Sequence, residues 1–228
     1  MLWWLSPGDP ERRTGGFIYN ARIVDAMRAL GHEVTILRLD ADWPFPEQLS
    51  CRGAIAAIPD GETVVADGLM WTGLSDADRR TLTARCQVWV VVHSPLDMEG
   101  GGEEVAVMER DALRLAHGWW ATSRPTAALM AARLGTCDAN CICPGTEIAQ
   151  YSAPRPFDRL LAVAHLIPRK GHDRLLDALA LVKDLNWQVS LVGSAEIDPE
   201  WADGLRVRAA SHGISCLLYT SPSPRDRG

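Results

Sequence analysis

The chain predicts an α/β protein made of two successive parallel sheets, each wound with helices, and three observations carry the prediction. Short apolar runs that can be buried on both faces, such as Val88–Val92, alternate with segments whose apolar residues recur at helical spacing. That alternation implies parallel strands joined by helical crossovers. A proline-bearing stretch, Tyr151–Asp158, then interrupts the series, which starts over at Leu160. The expected organisation is a first domain over 1–150, a linker over 151–158, a second and incomplete domain over 159–215, and a tail over 216–228.

The first domain is read in order as follows. Leu2–Leu5 is a strand, followed by the polar loop Ser6–Gly16. Phe17–Leu30 is a helix with Ile23, Val24, Met27 and Leu30 on one face, stopped by Gly31. Glu33–Leu39, Thr63–Ala66 and Val88–Val92 are strands. Val105, Met108, Ala112 and Leu115 mark the buried face of another helix. Gly118–Ala121 is a short strand, Ser123 and Pro125 open a helix that runs to Leu134, and Ala139–Cys143 closes the series.

In the second domain Leu160–Ala164 and Trp187–Val192 are strands, and Leu175, Leu176, Leu179 and Val182 recur at helical spacing between them. With only two strands expected, Trp187–Val192 would present an unpaired apolar edge. The last segment, Cys216–Gly228, changes to Ser, Pro, Arg and Asp without periodicity. It reads as a non-native tail on a truncated chain, outside the fold.

Composition narrows the function classes. The 228 residues are 47% hydrophobic and 23% charged, enough for a real core. A net charge of −6 argues against a nucleic-acid partner, because phosphate-backbone affinity needs clustered Lys and Arg. Apolar runs such as Val88–Val92 are five residues long, against the roughly 20 that a membrane-spanning helix requires. Met1–Leu5 lacks a basic leader and reads as a buried first strand. Six cysteines are present; Cys137, Cys141 and Cys143 match no standard zinc spacing, so reduced thiols and a cytoplasmic location are expected.

Candidate chemistry gathers in loops that follow strands, where α/β proteins bind ligands. Thr14-Gly15-Gly16 stands directly before a helix, and adjacent glycines let backbone N–H groups approach a phosphate. His93 ends the Val88–Val92 strand, and Gly100–Gly102 follows as a loop or solvated turn. In the second half His165 ends a strand, and Arg169 and Lys170 sit where a helix begins, a place suited to a phosphate or diphosphate. Asp9, Glu11, Asp97 and Glu99 are loop carboxylates available to an acceptor hydroxyl.

Taken together these residues resemble the GT-B glycosyltransferases of the retaining family 4 type. The matching pieces are Thr14-Gly15-Gly16, then Ala29-Leu30-Gly31-His32-Glu33-Val34, then His93-x-Pro95, then Pro144-Gly145-Thr146-Glu147. Val163–Gly193 is similar to the start of the family's donor domain, best in Pro168-Arg169-Lys170-Gly171-His172-Asp173. The resemblance covers roughly residues 1–213. It departs from the pattern at His165, where the family usually has Arg, and the family's Glu-containing donor motif has no counterpart up to Gly228.

The resemblance implies two Rossmann-like domains flanking a cleft, and transfer of a sugar from a nucleotide-diphosphate donor to a hydroxyl acceptor with retention. Lys170 would stabilise charge on the donor phosphate, helped by the Gly15-Gly16 turn, His165 and Arg169. His93 would position sugar or acceptor. The implied site needs no metal and no cofactor beyond the donor sugar itself. The acceptor is unidentified, and peripheral contact with a membrane is compatible with the reading. A GT-B nucleotide-sugar 2-epimerase and a non-catalytic fragment are the alternatives. A dehydrogenase would place an acidic residue after the second strand, as Asp40 stands, but the first loop lacks GxGxxG.

Overall fold

The computed structural model describes residues 1–8, 14–39, 51–146 and 159–214, and the backbone of 218–221. Asp9, Glu11, Asp40, Glu147 and the expected linker 151–158 lie outside the described residues. The chain divides into two compact units, Met1–Glu147 and Ile148–Gly228.

The first unit is a sheet of five parallel strands, β1 (Leu2–Pro7), β2 (Val34–Leu39), β3 (Thr63–Asp67), β4 (Gln87–Val92) and β5 (Gly118–Ala121), in the order β2-β1-β3-β4-β5. Helix α1 (Gly15–Ala29) packs on one face, where Trp4, Val65, Val91 and Trp120 meet Tyr19 and Val24. Helices α2 (Cys51–Ala56), α3 (Gly68–Gly73), α4 (Asp76–Arg85), α5 (Gly102–Leu115) and α6 (Arg124–Leu134) contribute to the core on Leu5, Val64, Ala66, Val88 and Val90. Neighbouring strand residues thus go to opposite cores, which is why these strands read as continuous apolar runs. Strand direction reverses its winding between β1 and β3, the topological switch point at which open α/β sheets bind ligands.

Several details depart from the sequence reading. Leu30 lies beyond α1 and is 79% exposed, while Asn20 takes a place on the buried face. In α5 the buried positions are Val105, Glu109, Ala112 and Leu113, and Met108 is exposed. Ala139–Cys143 forms no strand; Cys141 alone bridges to Ala121. Helices α2, α3 and α4 have no counterpart in that reading. In α4 the buried residues are Leu82 and Asp78, so its sequence carries no apolar stripe, and the Ser75 cap is its clearest local signal.

Among the described residues the second unit has three parallel strands, β6 (Arg159–Val163), β7 (Gln188–Val192) and β8 (Leu218–Ser221), in the order β6-β7-β8. Helices α7 (His172–Ala180) and α8 (Pro199–Ser211) pack with them around Leu176, Leu179, Val189, Leu191, Leu205 and Ile214. The expected open edge on β7 is corrected: β8 pairs with it along Val189–Val192, so β7 is central, and Leu218–Ser221 is part of a sheet. Val182 lies past the end of α7 and is exposed. Gly193 follows β7 so closely against β6 that a Cβ there would stand 1.8 Å from the Ala164 carbonyl oxygen.

Candidate functional site

The first unit gathers polar groups at the carboxyl ends of β3 and β4 and the start of α1. Thr14 caps α1, its hydroxyl accepting from the Phe17 N–H at 3.5 Å, and Gly15 and Gly16 are the first helical residues. A Cβ on Gly16 would lie 3.2 Å from Cδ2 of His93, so the missing side chain lets the imidazole pack against the helix start. Gly15 has nothing within 4 Å of the same position.

One turn further along α1, Asn20 is buried and donates from Nδ2 to Oδ2 of Asp67 at 2.8 Å. Asp67 ends β3 and caps α3, its Oδ1 accepting from the Leu69 N–H at 3.0 Å. His93 Nε2 stands 3.0 Å from Asn20 Oδ1 and 3.3 Å from Asp67 Oδ2. Both neighbours of Nε2 are acceptors, so this nitrogen carries a proton, and in the neutral form of the ring Nδ1 is the acceptor. The imidazole side chain is 23% exposed, against 8% for Asp67.

The ring is held from its other sides too. Tyr19 meets it edge-to-face at 5.4 Å. The Tyr19 hydroxyl donates to the Ile142 carbonyl at 2.9 Å and accepts from Trp120 Nε1 at 3.1 Å. Thr122 Oγ1 donates to the His93 carbonyl at 3.1 Å. The close fit extends to Gly68, where a Cβ would come within 2.8 Å of the Val91 carbonyl oxygen.

The loop after His93 is anchored away from this cluster. A single 3₁₀ turn, Leu96–Glu99, carries Asp97, which accepts from Arg133 at 2.9 and 2.7 Å. That bidentate pair holds the Asp97 carboxyl below its ordinary range. Glu99 accepts from the Ser94 hydroxyl. Of the loop carboxylates available to an acceptor hydroxyl, Asp97 is thus paired with Arg133 of α6 and Glu99 with Ser94 of its own loop. Glu109 receives the Leu96 N–H at 3.3 Å, and burial pushes its carboxyl up to about 7. Gly100 and Gly102 take positive φ around the turn, and Gly101 packs on Val105.

In the second unit His165, Arg169 and Lys170 share one loop at the carboxyl end of β6. The His165 carbonyl accepts from the Ile167 N–H at 2.9 Å, and Ile167 in turn accepts from Lys170 N–H at 3.0 Å. Pro168–Lys170 is a 3₁₀ turn closed by Gly171 at φ 68°. Gly171 is also the residue before α7 and has no side chain to cap it, so among the described residues the helix start has no side-chain cap. Arg169 and Lys170 are exposed beside this positive helix end. His172 is buried at the first helical position with Nδ1 unpartnered, and burial lowers its pKa. His165 Nδ1 is likewise buried without a hydrogen-bond partner.

The structure thus brings Gly16 and His93 together in one unit and His165, Arg169 and Lys170 together in the other. Sequence reading missed Tyr19, Asn20, Asp67 and Trp120. Asp67 was within reach of the rule that singled out His93, since it too ends an apolar strand at the carboxyl edge. Asn20 carries no such signal, because only the packing of α1 brings it to Asp67.

A doubly wound α/β protein with a polar cluster at its switch point is the class these features define. Neither family models nor curated proteins give a match to the chain. Solved structures do. Anabaena HepE in complex with UDP and glucose has a TM-score of 0.72 at 15% identity, covering 99% of this chain and 70% of that one. Sucrose-phosphate synthase from Thermosynechococcus elongatus has a TM-score of 0.69 at 17% identity, covering 97% and 70%. The lipopolysaccharide outer core galactosyltransferase WaaB, in its apo form, has a TM-score of 0.63 at 14% identity, covering 98% and 68%. The chain has the Rossmann-like α/β fold of GT-B glycosyltransferases.

Proposed function

We propose that this chain is a retaining glycosyltransferase of the family 4 type, moving a sugar from a nucleotide-diphosphate donor to a hydroxyl acceptor. The observation that carries the reading is the uncapped N-terminus of α7 with Arg169 and Lys170 beside it, in a fold shared with HepE, which was solved with UDP and glucose. In such a transfer negative charge develops on the departing phosphate. Fixed cations and helix N–H groups that are already oriented stabilise it without reorganisation. Lys170 supplies the main charge, with Arg169 and His165 beside it. Because lysine and helix dipole provide the positive field, the reading calls for no metal and no cofactor other than the donor.

The Asp67–Asn20–His93 cluster is assigned to the sugar and acceptor. The Nδ1 atom of His93 can accept from a hydroxyl, while Asp67 and Asn20 keep the ring turned. The Gly15-Gly16 helix start adds backbone N–H groups next to the same ring. The reading places the protein in the cytoplasm, with the acceptor open to either a free sugar or a molecule at a membrane surface.

Two substitutions test it. Lys170→Ala is expected to lower turnover on the order of 10²-fold in a transfer assay with a panel of nucleotide-diphosphate sugars. His93→Ala is expected to lower transfer while calorimetry shows UDP affinity close to that of the parent. Undiminished kcat in Lys170→Ala overturns the donor assignment. Loss of UDP binding in His93→Ala would put His93 with the donor instead.

A further inference from the structure

We propose that Cys141 and Cys143 form a reversible redox modification site, closed to an intramolecular disulfide by a small disulfide of the glutathione class, whose closure releases Tyr19 and unsettles His93. The inference deepens the function proposed above by giving its histidine cluster a control, and rests on that reading only for the effect on transfer.

The two thiols are already in contact, with Sγ atoms 3.4 Å apart and free of other cysteines. Cys143 is exposed and Cys141 partly buried, so reagent reaches Cys143 first. The Cys141 thiol is held above its ordinary pKa by burial and by its contact with Cys143. The residue between them, Ile142, does two jobs. Its N–H donates to the Ala121 carbonyl at the end of β5 at 3.0 Å, and its carbonyl receives the Tyr19 hydroxyl at 2.9 Å. Tyr19 then meets His93 edge-to-face.

Closure acts directly on that peptide. Extended backbone separates Cα atoms two residues apart by about 6.6–7.2 Å. That is at or beyond the upper end of the roughly 4.4–6.8 Å that disulfides usually span, and they favour about 5.5–6 Å. Drawing the ends together buckles the backbone at Ile142, turning the carbonyl to which Tyr19 is tied. Tyr19 keeps its bond from Trp120 but loses its anchor, and the imidazole loses a fixed wall.

The chemistry balances with glutathione disulfide as oxidant. The Cys143 thiolate attacks one sulfur, the S–S bond breaks, and the first glutathione leaves as a thiolate. The Cys141 thiolate then attacks Cys143 sulfur and expels the second. Two protein thiols are oxidised, one glutathione disulfide is reduced to two glutathiones, and the two thiol protons pass to the leaving thiolates. Rates depend on thiolate fraction and access, and the step reverses with excess glutathione.

The test equilibrates the full chain in buffers of graded glutathione to glutathione disulfide ratio. Peptide mapping follows the cysteines, and NMR of ring-labelled histidine follows His93, which His93→Ala identifies. The expected result is a peptide containing both Cys141 and Cys143 lighter by two hydrogens, with a parallel shift of the His93 resonances. Both changes should reverse on reduction, survive in Cys137→Ser and vanish in Cys143→Ser. A stable glutathione adduct, a disulfide to Cys137, or a disulfide that leaves His93 unmoved overturns the proposal. If His93→Ala retains full transfer, the proposed function fails, while disulfide and NMR shift still decide this inference.

Discussion

Asp67 uses both carboxylate oxygens, one to cap α3 and the other to meet Asn20 and His93. Replacing it by Asn keeps an acceptor for the cap and removes the charge beside the ring. If His93 acts in the proposed transfer, Asp67→Asn is expected to lower it on the order of tenfold, since a misturned group loses rate steeply. Nitrogen NMR of His93 should show the neutral ring spreading over both tautomers while circular dichroism stays that of the parent. Glu109 presents the opposite case, a carboxyl without a cation in hydrogen-bond contact. Desolvation raises it to about 7, opposed by the Leu96 N–H and by Arg133, with Asp97 adding to the rise. Its unfolded pKa is lower, so the native state holds the proton more tightly. The stability this contributes is complete below pH 4.5 and is lost as pH rises towards 7. The loss is about 3 kcal/mol at 1.36 kcal/mol per unit. Glu109→Gln keeps an acceptor for Leu96 without the titration. Urea unfolding at pH 5 and 8 should therefore show the variant gaining about 2.5 kcal/mol over the parent at the higher pH.

At the scale of elements, the second sheet depends on one close approach. Gly193 leaves β7 with the Ala164 carbonyl where a side chain would be, and the obstruction is backbone that no rotamer change can clear. Gly193→Ala is expected to destabilise this unit by on the order of 3 kcal/mol. The packing of α7 on α8 has a different support. Asp177 accepts from Arg208 at 2.7 and 2.6 Å and lies 2.9 Å from His212 Nε2. These partners hold its carboxyl down at about 2. The network is exposed, so its rupture should cost far less than the strain at Gly193.

For the whole molecule, the apolar clusters described here lie wholly within one unit or the other. A strain introduced in the second unit should therefore stay there. In Gly193→Ala, hydrogen exchange is expected to speed up across α7, β7 and α8 and to remain at the parent's rate in β1, β3 and β4. Equal acceleration in both units would show that they unfold as one.

Strand positions were legible from the sequence because parallel strands buried on both faces are uniformly apolar, as Val88–Val92 is. The loops holding Gly16, His93 and Lys170 were legible for a related reason, since a ligand-binding edge must follow such a run. Helix α4 escaped because it buries one large apolar side chain, and β8 because four residues of mixed character become a strand only against β7. The sequence by itself determined the α/β class, the order of strands along the chain and the residues offered at their carboxyl ends. Only the tertiary structure decided that Asn20 and Asp67 turn the His93 ring, that Arg133 of α6 holds Asp97 while Ser94 holds Glu99, and that Ile142 steadies Tyr19. Burial follows from local pattern, whereas a hydrogen bond between residues 47 or 123 positions apart depends on how separate elements pack.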